Sequence, residues 1–250
     1  MEKAGIWQEE HTVTASMVNT FRECRLDAVC NILQEVAGRH ANARKIGFFE
    51  LEQQGLFWAL SRLRLRVYRY PEWQEKLRVH TWVHKMRGPI SYRNFSILDQ
   101  EGEAIASACS LWSAVDIQAR RPARIAADDF PILSERHPSC GEPEKIKPPT
   151  RVDRETTYTV RYSDLDMVEH VNNVRYLTWL IDTYGRFNLE ARATFLEVNY
   201  LGETGLGDSV LLQKEKLEEK PLSFRHRIMH AGQDNEVLRA YLEWQEREQS

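Results

Sequence analysis

Residues 162–184 read YSDLDMVEHVNNVRYLTWLIDTY. The stretch opens with a polar run, Ser163, Asp164, Asp166, Glu169 and His170. It continues with Val171, Val174, Leu177, Ile181 and Tyr184 three or four residues apart, the spacing of one helix face. Carboxylates ahead of an apolar helix suit the positive end of its dipole, so the pattern predicts a helix entered near Asp166 and His170. Tyr176, Leu177, Leu180 and Ile181 leave that helix little polar face, which predicts that it is buried. Asp166 and His170 at the mouth of a buried helix make a candidate site. They equally suit a cap and a boundary residue.

Working towards the N-terminus, the same motif occurs again. Leu26, Val29, Cys30, Leu33, Val36, Ala37, His40 and Ala41 keep helical spacing, ending before Gly47. His40 lies on the apolar stripe and reads as a packed core histidine. Strand character follows at 58–70, where Leu and Val alternate with Arg62, Arg64 and Arg66, then at 77–83, 90–98 and 104–117. Residues 11–21 are rich in Thr and Val and predict a strand ahead of the helix. After the second helix, strands are expected at 194–200, 208–217, 222–230 and 236–244, with another before it at 158–162.

The two halves therefore share one order of elements. At an offset of 132 residues Ser91 meets Ser223, Arg93 meets Arg225, Ala108 meets Ala240 and Trp112 meets Trp244. A helix followed by an antiparallel meander is an α+β signature, and its repetition predicts two domains of one fold. The expected division is a first domain over 1–126, a linker over 127–150 rich in proline, and a second domain over 151–250.

The 250 residues, 42% hydrophobic and 28% charged, suit a soluble globular protein with a sizeable core. A net charge of −3 argues against a nucleic-acid binder. The stretch MEKAGIWQEEH lacks the apolar centre of a signal peptide, and no run suits a membrane helix. Cys24, Cys30, Cys109 and Cys140 show no metal-like spacing and read as reduced thiols, so a cytoplasmic protein without a metal is expected.

Chemistry is expected in the second half alone. It offers Asp166, Glu169 and His170, and also Glu203 in the glycine-flanked segment NYLGETGLGDS, whereas the first half has no histidine at the matching helix entrance. Two carboxylates and a histidine can activate water, and backbone N–H groups at a helix N-terminus could hold an oxyanion. Hydrolysis of an activated acyl group and hydration of an unsaturated acyl chain both fit this set.

The run DLDMVEHVNNVRYLTW (164–179) resembles the signature of the acyl-acyl-carrier-protein thioesterases, especially the bacterial relatives of the plant plastid enzymes. ILQEVAGRHANARKIGF (32–48), WALSRLRLRVYRYPEW (58–73) and LWSAVDIQARRPARI (111–125) look like that family's first domain, and EVNYLGETGLGDSV (197–210) like its carboxylate segment. The resemblance implies a tandem double hot-dog, each half a long central helix wrapped by a curved antiparallel sheet. It also implies release of fatty acid from acyl carrier protein, without a cofactor. Carried over by position, the catalytic Asp, His and Glu fall on Asp166, His170 and Glu203. An acyl slot is implied in the first domain, with Val29, Leu33, Val36, Trp58 and Leu60 as candidate lining.

Two positions depart from the family pattern. Val168 stands where the family has an Asn: either Asn172 or Asn173 substitutes in space, or the Asn is dispensable, or the activity is reduced. Thr204 stands where the plant enzymes have a Cys, so direct attack by water is favoured over a covalent route. An acidic carrier protein suits the basic cluster Arg120, Arg121 and Arg124. The alternatives are an acyl-coenzyme A thioesterase and a non-catalytic protein that binds acyl thioesters. A monomer and a homodimer both fit.

Overall fold

A computed structural model describes residues 2–3, 5–125, 132–133, 135–136 and 140–247. The chain forms two compact units, 1–143 and 144–250.

In the first unit, β1 (Glu2–Lys3) and β2 (Ile6–Thr12) precede the helix α1 (Leu26–Ala43) and a short α2 (Phe48–Glu52). Four long strands follow: β3 (Leu56–Val67), β4 (Lys76–Arg87), β5 (Ile90–Leu98) and β6 (Ala104–Asp116). They form an antiparallel sheet in the order β1-β2-β4-β5-β6-β3. Leu26, Val29, Leu33, Val36, Ala37 and His40 of α1 are all buried, as their spacing predicts.

In the second unit, β7 (Arg154–Thr159) leads to α3 (Asn173–Asp182) and a short α4 (Phe187–Glu190). Then come β8 (Ala191–Tyr200), β9 (Ser209–Lys216), β10 (Ser223–His230) and β11 (Glu236–Glu246). Their order is β7-β9-β10-β11-β8, antiparallel throughout. With β2 matched to β7 and β3 to β8, this is the order of the first unit. The constant offset holds for that order but slips in register. Ser91 pairs with Trp112, whereas Ser223 pairs with Glu243. In α3, Tyr176, Leu177, Trp179 and Leu180 are buried, so the helix is a core element. Each such large apolar side chain contributes roughly 1.5–3 kcal/mol on burial.

Three expectations change. The strand expected at 11–21 lies earlier, at Ile6–Thr12. Residues 15–17 form a 3₁₀ turn instead, because Thr and Val favour strands only where a neighbour is present to pair with. The strand expected at 158–162 ends at Thr159, since Tyr162–Asp164 turns as 3₁₀. The helix expected near Asp166 begins at Asn173, whose predecessor Asn172 caps it by accepting a hydrogen bond from Val174 N–H at 2.9 Å.

Of the expected linker, residues 127–131, 134 and 137–139 lie outside the described residues. Its later part forms neither helix nor strand but is well anchored. In the first unit Glu142 accepts from His84 and from Lys85, at 3.1 and 3.0 Å. In the second, Ile146 N–H donates to Asn199 Oδ1 at 2.9 Å, and the Thr150 hydroxyl donates to Glu215 at 2.6 Å. Polar residues of the sheet that would otherwise be buried without partners are thereby satisfied.

Candidate active site

Asp164 fixes the approach to α3. It is fully buried. It accepts from the Tyr158 hydroxyl at 2.8 Å, from Arg161 N–H at 2.9 Å and from Arg175 Nε–H at 2.9 Å. Burial alone would raise its pKa. The hydrogen bonds from Arg161, Tyr158 and Arg175 outweigh that and hold the carboxyl below its ordinary range. Its backbone carbonyl also accepts from Asn172 N–H at 2.9 Å, which ties the turn to the helix cap.

Between Asp164 and the cap, the chain makes a tight loop. Leu165 and Val171 bridge its base. Asp166 N–H donates to the His170 carbonyl at 2.8 Å, and Glu169 takes φ 63°, left-handed backbone that costs a non-glycine roughly 1–2 kcal/mol. Asp166 Oδ1 accepts from Val168 N–H at 3.0 Å and from His170 N–H at 3.3 Å. Asp166 thus holds the loop backbone. The helix entrance expected near Asp166 and His170 is replaced by this turn.

A second loop, between β8 and β9, meets the first. Val171 N–H donates to the Thr204 carbonyl at 2.9 Å. This contact sets His170 Nδ1 3.7 Å from Glu203 Oε2, with both side chains 40% exposed. That distance is longer than a hydrogen bond, and reacting groups in ligand-free sites are often spaced so. His230, at the end of β10, stands beside them with Nε2 3.2 Å from the Glu203 carbonyl oxygen. Sequence reasoning passed over His230, because only the fold brings β10 to this loop.

Thr204 is buried, and its hydroxyl lies 2.7 Å from that of Tyr176. It is packed away from solvent. Cys24, Cys30 and Cys109 are buried, and burial raises all their thiol pKa values. They are poor nucleophiles for the same reason.

The expected oxyanion site at the helix N-terminus meets an obstacle. The N–H groups of Val168 and His170 go to Asp166, that of Val171 to Thr204, and that of Asn172 to Asp164. Those of Val174 and Arg175 go to Asn172. Asn172 Oδ1 serves the cap by accepting from Val174 N–H. Val168 itself is exposed, next to the exposed Met167.

The other expected residues lie in the first unit. Val29, Leu33 and Val36 form one buried stripe on α1. Trp58, on β3, is half-buried and donates through Nε1 to the Ile46 carbonyl at 2.9 Å. Arg120, Arg121 and Arg124 are exposed at the turn after β6, and the Arg120 guanidinium sits over the Phe57 ring at 5.5 Å.

Residues 5–132 match the acyl-ACP thioesterase N-terminal domain, and residues 147–246 match the acyl-ACP thioesterase C-terminal domain. The chain belongs to the acyl-ACP thioesterase family. A crystal structure of an acyl-ACP thioesterase from Bacteroides thetaiotaomicron superposes with a TM-score of 0.89 at 25% identity, covering 96% of this chain and 98% of that one. The 12:0-ACP thioesterase from Umbellularia californica gives a TM-score of 0.86 at 21% identity, over 99% and 100% of the two chains. The double hot-dog expected from the sequence is thereby shown.

Curated relatives in the acyl-ACP thioesterase family include a chloroplastic dodecanoyl-[acyl-carrier-protein] hydrolase from Cinnamomum camphora. It is 28% identical over 262 residues, which cover 96% of this chain and 67% of that protein. The chloroplastic oleoyl-acyl carrier protein thioesterase 2 of Arabidopsis thaliana is 27% identical over 205 residues, 73% of this chain and 55% of that protein. This chain thus spans between about half and two thirds of the length of the curated relatives it matches. Among the described residues, no helix is long and apolar enough to cross a membrane.

Proposed function

We propose that this chain hydrolyses the thioester between a fatty acyl chain and acyl carrier protein, releasing free fatty acid. The observation that carries the reading is the approach of His170 to Glu203 on two loops tied by the Val171–Thr204 hydrogen bond. Glu203 acts as the general base, since it is the carboxylate that faces His170, while Asp166 Oδ1 accepts from two backbone N–H groups and holds the loop. Glu203 takes a proton from water, and the water oxygen bonds to the thioester carbonyl carbon. His170 polarises the carbonyl oxygen, a task that the engaged backbone amides of the loop leave to a side chain. When the C–S bond breaks, the departing thiolate takes up the proton, giving one carboxylic acid and one thiol for each water consumed.

The family resemblance supports an acyl slot against Val29, Leu33, Val36 and Trp58 in the first unit. The exposed Arg120, Arg121 and Arg124 suit an acidic carrier protein, whose approach they would steer. Glu203→Gln keeps the shape of the side chain and removes the base. It is expected to lower kcat for acyl-acyl-carrier-protein by about 10²-fold while KM stays nearly unchanged, as read by thiol release. Full activity in this variant would remove Glu203 from the mechanism.

A further inference from the structure

The loop that carries Glu203 is tied on both sides of it. Leu201 N–H and Gly202 N–H donate to the Val237 carbonyl on β11, at 2.8 and 3.1 Å. On the far side, the Thr204 carbonyl and hydroxyl are engaged by Val171 and Tyr176, and Gly205 N–H donates to Asp208 Oδ2 at 2.8 Å. Glu203 stands between these anchors with its side chain 40% exposed, so packing alone does not fix where the carboxylate points. Its carbonyl oxygen meets a second histidine, His230, 3.2 Å from Nε2.

A carbonyl oxygen only accepts, so this contact puts a hydrogen of the ring on Nε2. A bare Nε2 would set two lone pairs against each other at 3.2 Å. The ring also has a firm support. His230 pairs with Val210 on β9, and its N–H donates to the Asn235 carbonyl at 3.0 Å. A side chain carried by a strand holds its place better than one carried by a loop. A hydrogen bond to the carbonyl of residue 203 opposes rotation of that peptide, and with it the swing of the carboxylate away from His170 Nδ1, 3.7 Å distant. The loop is anchored without this bond, which adds little to the fold and falls on the residue that carries the base.

We propose that His230 is a positioning residue of the hydrolysis: its Nε2–H holds the Glu203 carbonyl and thereby aims the Glu203 carboxylate at His170 and the attacking water. This rests on the reading of Glu203 as the general base. Misplacing a reacting group by about 1 Å costs about 10²-fold in rate, and releasing one hydrogen bond that restrains it costs part of that.

Thiol release from acyl-acyl-carrier-protein reads the effect. His230→Ala should lower kcat about ten-fold with KM nearly unchanged. His230→Gln, whose side-chain amide can donate to the same carbonyl, should recover most of the loss. In a Glu203→Gln background, His230→Ala should cost less than about two-fold, because the group that it positions is no longer a base. Undiminished kcat in a folded His230→Ala variant would overturn the proposal. An equal loss in both backgrounds would overturn it too, since His230 would then serve the loop at large. The ring hydrogen is read without turnover and without a folded variant, from long-range proton–nitrogen couplings of the wild-type imidazoles in alkaline buffer. Hydrogen on Nε2 of His230 is expected, and hydrogen on Nδ1 alone would overturn the proposal. Absence of hydrolysis by the wild type, with hydrogen on Nε2, would instead count against the proposed activity and leave the hold on Glu203 supported.

Discussion

His170→Ala should lower kcat/KM for acyl-acyl-carrier-protein hydrolysis by about 10²- to 10⁴-fold, the range supplied by a positioned acid–base group. The imidazole is 40% exposed and faces Glu203 at 3.7 Å, so its removal leaves no buried void. The loop is held through backbone groups, the His170 carbonyl with Asp166 N–H and the His170 N–H with Asp166 Oδ1, and alanine retains both. The melting temperature is therefore expected to stay within about 2 °C, the range of a surface substitution. Thiol release and a thermal melt on one preparation separate the two effects. A loss below ten-fold would show that His170 stands beside the reaction without serving it.

Asp164→Ala is expected to do the reverse, acting on stability first. The carboxylate is fully buried and satisfies the Tyr158 hydroxyl, Arg161 N–H and Arg175 together. Removing it leaves those donors without an acceptor and Arg175 without its counter-charge. The expected cost is about 3–5 kcal/mol, measured by urea unfolding. The pH dependence has a definite sign. Because the folded carboxyl titrates below its ordinary value, its contribution is complete above the unfolded pKa of about 3.9 and is lost as pH falls through the lower folded value. The gap in stability between wild type and Asp164→Ala should therefore narrow on acidification through that window. A gap independent of pH would mean that the charge of Asp164 contributes nothing.

The sheet was largely legible in the sequence. Strand β5 falls at Ile90–Leu98 as expected, since alternation and the turn at Asp99–Gly102 bound it on chemical grounds. Strand β2 was hidden because IWQEEHT carries no run of branched residues, and its pairing with β4 depends on a partner distant in sequence. The helix stripes were legible from period alone, but the start of α3 was not. Acidic residues ahead of an apolar run suggest a helix entrance, and here they build a turn that Asn172 terminates. His170 and Glu203 were singled out by residue type and by resemblance, and the fold brings them together. The anchoring by Asp164 was not readable, because its partners Tyr158, Arg161 and Arg175 come from a strand, a turn and a helix. The same holds for His230.

The most direct test of the proposed hydrolysis is release of free thiol by the wild type from a chain-length series of acyl-acyl carrier proteins, with matched coenzyme A esters alongside. The mechanism predicts sustained turnover of the carrier-protein esters, one fatty acid for each thiol, and slower cleavage of the coenzyme A esters. Tight binding of the carrier-protein esters without thiol release would contradict it, and would mark Val168 as the sign of a protein that holds acyl thioesters without cleaving them.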